Sequence, residues 1–198
     1  MHRPFPPWSR TALVGVLWLA VVSVGMWFVV DHANAPGEVG DAVEQWPADS
    51  RLSRDPVRPT LILFVHPHCP CMRASLDELT KVLTYSRGGA RVHVQFLKPK
   101  GHRGEWGQTG VWQQAAAIPG VEVAWDEGGA EARRFGALTS GHAVLYAPNG
   151  RLLYHGGLTP SRAHEGDNSG ESCVIALLNG EPATHASYPV FGCPLFDE

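Results

Sequence analysis

An unbroken apolar run, Leu61-Ile62-Leu63-Phe64-Val65, passes directly into His66-Pro67-His68-Cys69-Pro70-Cys71, and this junction constrains the fold more than any other stretch of the chain. An apolar run without polar alternation marks a strand covered on both faces, hence a central strand in a sheet layered by helices. Beyond the cysteines, Met72, Leu76, Leu79 and Leu83 recur at helical intervals, whereas Asp77, Glu78 and Lys81 are expected to face water. A helix is therefore expected from Cys71 to about Tyr85. The two thiols then sit at the exposed top of a strand, on the first turn of a helix. Unpaired N–H groups at a helix N-terminus lower a thiol's pKa and favour the thiolate, which is both nucleophile and metal ligand.

The remaining elements follow from period and punctuation. Thr60 to His66 is the buried strand, and Gly88-Gly89 stops the helix after it. Val92, Val94 and Phe96 alternate with Arg91, His93 and Gln95, the period of a strand. Val111 to Ile118 predicts a short helix closed by Pro119-Gly120, Val121 to Trp125 a strand, and Ala130 to Phe135 another short helix. His142 to Ala147 and Arg151 to His155 flank Pro148-Asn149-Gly150, a hairpin turn. A last helix is expected from about Ser169 to Leu178, capped by Asp167 or Asn168 and ended by Asn179-Gly180. The order β-α-β-α-β-α-β-β-α implies an α/β fold of three layers, a mixed central sheet with helices on both faces.

The N-terminus is a second strong signal. Leu13 to Val30 is apolar apart from Ser23 and glycines, about the length that spans a bilayer. Residues 1–10 are expected in the cytoplasm, 11–30 as a transmembrane anchor, 31–59 as a tether, 60–182 as the folded domain and 183–198 as an irregular tail. Arg3 and Arg10 precede the apolar run and Asp31, Glu38, Asp41 and Glu44 follow it. The positive side stays inside, so the expectation is a single-pass protein of the inner (cytoplasmic) membrane with its C-terminal domain on the periplasmic side. Ala33-Asn34-Ala35 imitates a signal-peptidase site. The run is long for a cleaved signal, however, and Pro36 at the cut fits the peptidase badly, so a retained anchor is favoured. The tether is acidic and rich in proline and glycine, and Trp46 and Leu52 are its candidates for docking on the domain. A formal charge of -3 and the lack of a basic, aromatic-interleaved stripe argue against nucleic acid as a partner. Lys98, Lys100, His102 and Arg103 read as a solvated loop.

The element order, with a dithiol between first strand and first helix, resembles the thioredoxin fold over roughly Thr60 to Gly180. The chain is more narrowly similar to small membrane-anchored, thioredoxin-like proteins termed RedB-like. The residues that carry this likeness are His66 to Cys71, Thr139-Ser140-Gly141, Ser161-Arg162-Ala163-His164-Glu165-Gly166-Asp167-Asn168 and Phe191-Gly192-Cys193-Pro194-Leu195. Two departures stand out. Only Pro70 separates Cys69 from Cys71, so a disulfide there closes a small ring and should reduce easily. Thioredoxins also place a cis-proline before the strand equivalent to Ala143-Val144-Leu145-Tyr146, where this chain reads Ser140-Gly141-His142. That leaves room for His142 near the sulfurs.

The leading reading is thiol–disulfide exchange with a disulfide- or thiol-bearing exported protein, requiring no organic cofactor. Cys69, nearer the helix start and expected to be the more exposed, attacks, and Cys71 resolves. Cys193, in the tail, is a candidate resolving cysteine or third ligand, with a Cys173–Cys193 disulfide as an equal alternative, while the apolar surroundings of Cys173 favour a buried, inert thiol. The rival reading is a copper-binding assembly factor for a respiratory metalloprotein, in which Cys69 and Cys71 join His66, His68 or His142, soft sulfur with imidazole. It resembles the logic of the Sco-type copper chaperones. A structural zinc site lacks a second pair at the expected spacing. Arg162 is a candidate for contacting an acidic partner.

Overall fold

The computed structural model describes residues 7–101, 107–183 and 185–196. His102 and Arg103 of the basic loop lie outside the described residues. The chain divides into two units, Met1–Ala35 and Pro36–Glu198.

Among its described residues the first unit forms one helix, α1 (Pro7–Asn34). It runs beyond the expected 11–30 because nothing interrupts the helical pattern before Pro36, and Asn34 turns its side-chain amide back onto the Val30 carbonyl at 2.7 Å. Its large apolar side chains from Leu13 to Val30 are exposed. The 25 residues from Arg10 to Asn34 are long and apolar enough to cross a membrane. Such a helix is consistent with a single-pass anchor or a signal sequence.

In the second unit, β1 (Thr60–Val65), α2 (Met72–Tyr85), β2 (Arg91–Lys98), α3 (Gly110–Ala117), β3 (Val121–Glu127), α4 (Ala130–Arg134), β4 (His142–Tyr146), β5 (Leu152–Gly156) and α5 (Ser169–Leu178) follow the expected order, and β6 (Ser187–Tyr188) is added from the tail. The sheet order is β3-β2-β1-β4-β5-β6. Strands β1, β2 and β3 are parallel, β4 runs antiparallel to β1, and β5 antiparallel to β4. Every residue of the central β1 is buried, as its unbroken apolar run requires. Leu61, Leu63 and Val65 face one core with Met72, Leu76 and Leu79 of α2, Val111 and Ala115 of α3, and Cys173, Val174 and Leu178 of α5. Ile62 and Phe64 face the other, with Ala132 of α4, Phe135 and Ala137. The sheet is thus covered on both faces.

Three expectations are corrected here. The stretch 36–59 is laid on the domain instead of hanging free. Trp46 N–H donates to the Gly150 carbonyl and Leu152 N–H to that of Glu44, each at 2.8 Å, and the Trp46 ring packs edge-on against Phe135 and Tyr146 at 5.1 and 5.3 Å. Main-chain pairing with a loop needs no side-chain period, which is why composition suggested a tether. Secondly, Glu78 does not face water: it is 0% exposed, because α5 and the loop before it cover that side of α2. Finally, the tail is ordered against the domain, contributing β6 and a short antiparallel contact between Thr139 and Pro194. Asn168, not Asp167, caps α5, its side-chain oxygen accepting from Glu171 N–H at 2.9 Å. Lys98 is held by Glu127 at 2.7 Å.

Candidate functional site

The strand-to-helix junction is built by two successive tight turns. Cys69 N–H donates to the His66 carbonyl at 3.0 Å, and Met72 N–H to the Cys69 carbonyl at 3.2 Å. Pro67 and Pro70 fit turns that spare their missing N–H groups. Cys71 ends up in the helical region at the N-cap of α2, with no side-chain cap above it. The junction is tied from both sides: His66 N–H donates to Ser140 Oγ at 2.8 Å, and Thr109 Oγ1 donates to the Pro67 carbonyl at 2.9 Å. His66 Nδ1 accepts from His68 N–H at 3.2 Å, and the two imidazoles stand 6.0 Å apart at the rim.

Three sulfurs meet at this mouth. The Cys69 thiol lies beside those of both Cys71 and Cys193 and raises each of them. Burial raises the Cys71 thiol first, then the neighbouring Cys69; the charge of Arg162 and the N–H of Ala163 oppose the rise. Burial likewise pushes Cys193 up to about 12, assisted by Cys69, with Arg162 again opposing. Arg162 is fixed by its guanidinium bond to the Gly192 carbonyl. Ala163 takes a φ of +56°, the left-handed region that a residue with a Cβ rarely adopts. It sits inside the narrow Ser161–His164 bridge, close enough to Cys71 for its N–H to act on that thiol.

Solved structures, though no family model and no curated protein, match this chain. An uncharacterized conserved protein from Geobacillus kaustophilus aligns with a TM-score of 0.58 at 19% identity, over 83% of this chain and 93% of its own. A hypothetical protein from Sinorhizobium meliloti 1021 aligns with a TM-score of 0.53 at 20% identity, over 81% and 93%. The exposed lipoprotein thioredoxin of Streptococcus pneumoniae aligns at 0.44 and 15% identity, over 71% and 99%. The fold is thioredoxin-like.

Within this thioredoxin-like domain the segment before β4 replaces proline with Ser140-Gly141. Gly141 has a φ of +92°, and a Cβ there would come within 2.9 Å of Met72 Cε, so glycine lets α2 close onto the strand end. Of the sequence candidates, Cys69, Cys71 and Cys193 are brought together. His66 and His68 stand at the mouth. His142 does not join them. It pairs with Phe64 across β1 and β4 and so points to the opposite face of the sheet, beside His155 at a ring distance of 6.1 Å. Alternation along a strand decides this, and a sequence gap before β4 could not. Among the described residues, no group of three or more His, Cys, Asp or Glu side chains is arranged to hold a metal ion.

The expected exposure of the dithiol is also corrected. Cys69 is 1% exposed and Cys71 6%, so both are covered and Cys69 is the deeper, because the tail folds over the mouth. Cys173 stays apart, in the core of α5, donating to the His185 carbonyl. The sequence reading missed the Ala163 N–H and the pairing of the tail with Leu138 and Ser140. The motif Ser161 to Asn168 was visible, but nothing in it specifies a left-handed alanine.

Proposed function

We propose that this chain is a membrane-tethered, extracytoplasmic thiol–disulfide exchange protein, in keeping with its RedB-like motifs and the charge asymmetry about its apolar helix. The single observation that supports it best is the meeting of three thiols at a helix mouth, Cys69 beside both Cys71 and Cys193, with the charge of Arg162 acting on the latter two. A merely structural staple has no use for a third thiol or for a positive charge beside it.

In the reaction, the Cys69 thiolate attacks one sulfur of a partner disulfide. A Cys69–partner bond forms, the partner's S–S bond breaks, and the other partner sulfur leaves as a thiolate that takes up a proton. Cys71, losing its own proton, then attacks Cys69 Sγ. The Cys69–Cys71 disulfide forms and the second partner thiol departs, so the partner gains the two electrons that the protein dithiol loses. The Ala163 N–H and Arg162 stabilise the negative charge that Cys71 carries at that second step.

The test uses the reduced full chain in detergent micelles with a small disulfide as oxidant. Cys69→Ser should abolish exchange, and Cys71→Ser should accumulate a mixed disulfide at Cys69, visible as added mass on the peptide that carries it. Exchange at the wild-type rate in Cys69→Ser would overturn the reading.

A further inference from the structure

The chain's own tail sits across the dithiol in the manner of a bound peptide. Ser140 N–H donates to the Cys193 carbonyl and Leu195 N–H to the Leu138 carbonyl, each at 2.8 Å, with Thr139 opposite Pro194 in antiparallel register. These are main-chain bonds, which any extended segment can make. Pro194 has no N–H to offer and falls between the two, so it costs the pairing nothing. Cys193 is set against Cys69, and Arg162 holds the Gly192 carbonyl. Residue 192 must be glycine, since a Cβ there would run into the Ser140 carbonyl oxygen. Leu195, 2% exposed, inserts into the second core. Beside the segment a cavity of about 450 Å³ remains, lined by Leu138, Thr139, Arg162, Gly192, Pro194 and Phe196. The groove is wider than what fills it.

From this we infer that Gly192-Cys193-Pro194-Leu195 is a displaceable internal stand-in for the partner. It shields Cys69 when no partner is present, and its sequence states what the groove accepts: an extended peptide with glycine before its cysteine and an apolar residue two places after. The inference rests on the exchange reading above. It accounts for a reactive pair that is buried in the resting chain. Cys193 occupies the place of the partner's sulfur, and Cys71 is left as the resolving thiol. A cysteine-bearing strand from the partner replaces the tail, and exchange then proceeds through the steps already given.

The experiment compares two peptides, Val-Phe-Gly-Cys-Pro-Leu-Phe and the same sequence with alanine in place of glycine, each carrying thionitrobenzoate on its cysteine through a disulfide. The reduced full chain in micelles is mixed with each, and release of thionitrobenzoate is followed by absorbance. The glycine peptide is expected to react about tenfold faster than the alanine peptide, the factor that one lost main-chain bond and a steric clash would give. In Gly192→Ala the tail is forced out, and the glycine peptide should react faster again by about tenfold. Equal rates for the two peptides on the wild-type chain would overturn the inference, a comparison that does not depend on the variant folding. A folded Gly192→Ala chain with unchanged rates would overturn it too. Failure of the exchange reading looks different: no release from either peptide, nor from free 5,5′-dithiobis(2-nitrobenzoate), by wild type or variant.

Discussion

Arg162 acts on two of the three clustered thiols, and it opposes the effect of burial at both Cys71 and Cys193. Arg162→Gln should therefore raise both thiols further and shift the midpoint of the pH profile of iodoacetamide alkylation upward, a readout that faster access through a loosened tail does not move. An unshifted profile would show that the guanidinium acts only as a tie to Gly192. His142 makes the opposite kind of case. Burial, then the charge of His155, lowers it to about 3, and neither ring nitrogen finds a hydrogen-bond partner. A histidine whose folded pKa lies below its unfolded value supports the fold fully above about pH 6.5. That support fades as pH falls from there toward 3. His142→Leu should remove on the order of 2 kcal/mol of the stability loss between pH 6.5 and 5, checked by urea midpoints at the two pH values. The cysteines were legible because their motif is local. Their burial was not, because what covers them comes from residues more than a hundred positions away.

Between α2 and α5 two carboxyl groups are packed together. Glu78 is bonded to Lys81 Nζ and to the Gly166 N–H, each at 2.8 Å, and Glu171 in the first turn of α5 lies against it. Burial, then the charge of Glu78 and its hydrogen bond, push Glu171 up to about 7, with Lys81 opposing and Asp167 adding to the rise. A carboxyl with a raised folded pKa holds its proton in the native state after the unfolded chain has lost it. Stability therefore falls as pH climbs from about 4.5 through 7 and is level beyond. Glu171→Gln should raise the melting temperature at pH 8 by several degrees, a gain on the order of 2 kcal/mol, and leave it unchanged near pH 4. At the other core, Asp126 accepts from the N–H groups of Glu131 and Ala132 at 2.9 and 2.8 Å, the cap that lets a five-residue α4 persist. Asp126→Ala should cost about 1–2 kcal/mol in chemical denaturation. Elements with a period were readable in advance: β1 from its apolar run, β2 from alternation, α2 from its stripe. The pairing of α2 with α5 through Glu78 was not, since a glutamate on the polar side of a helix reads as solvated until a second helix is seen to cover it.

The boundary of the folded unit is where sequence and structure differ most, and it yields the sharpest test of the architecture. Composition places the start of the domain at Thr60, but the structure places it at Pro36. The difference is a segment that supplies groups the sheet cannot replace. Tyr146, fully buried, donates its hydroxyl to the Val43 carbonyl at 2.7 Å, and without that acceptor the hydroxyl is stranded in apolar surroundings. Glu131 accepts from Ser50 Oγ at 2.6 Å, and Thr139 Oγ1 donates to the Glu38 carbonyl at 2.6 Å. Trp46 closes an aromatic cluster with Phe135 and Tyr146. Gly40 passes so close that a Cβ would lie 2.6 Å from the Gly136 carbonyl oxygen, an approach that fixes the path of the segment. A chain beginning at Pro36 should therefore unfold cooperatively with a melting temperature within a few degrees of the full chain. One beginning at Thr60 should lose about 3–5 kcal/mol, the scale of a buried aromatic and two stranded polar groups, and show the shortfall as a lower urea midpoint. Equal midpoints for the two truncations would return residues 36–59 to the role of a passive tether. The distinction bears on function, because Gly37 N–H donates to the Val190 carbonyl at 2.7 Å, just before the tail crosses the thiols. Loss of the segment should therefore loosen the tail as well as the core, and thiol alkylation of the Thr60 truncation should be faster than that of the Pro36 truncation under native conditions.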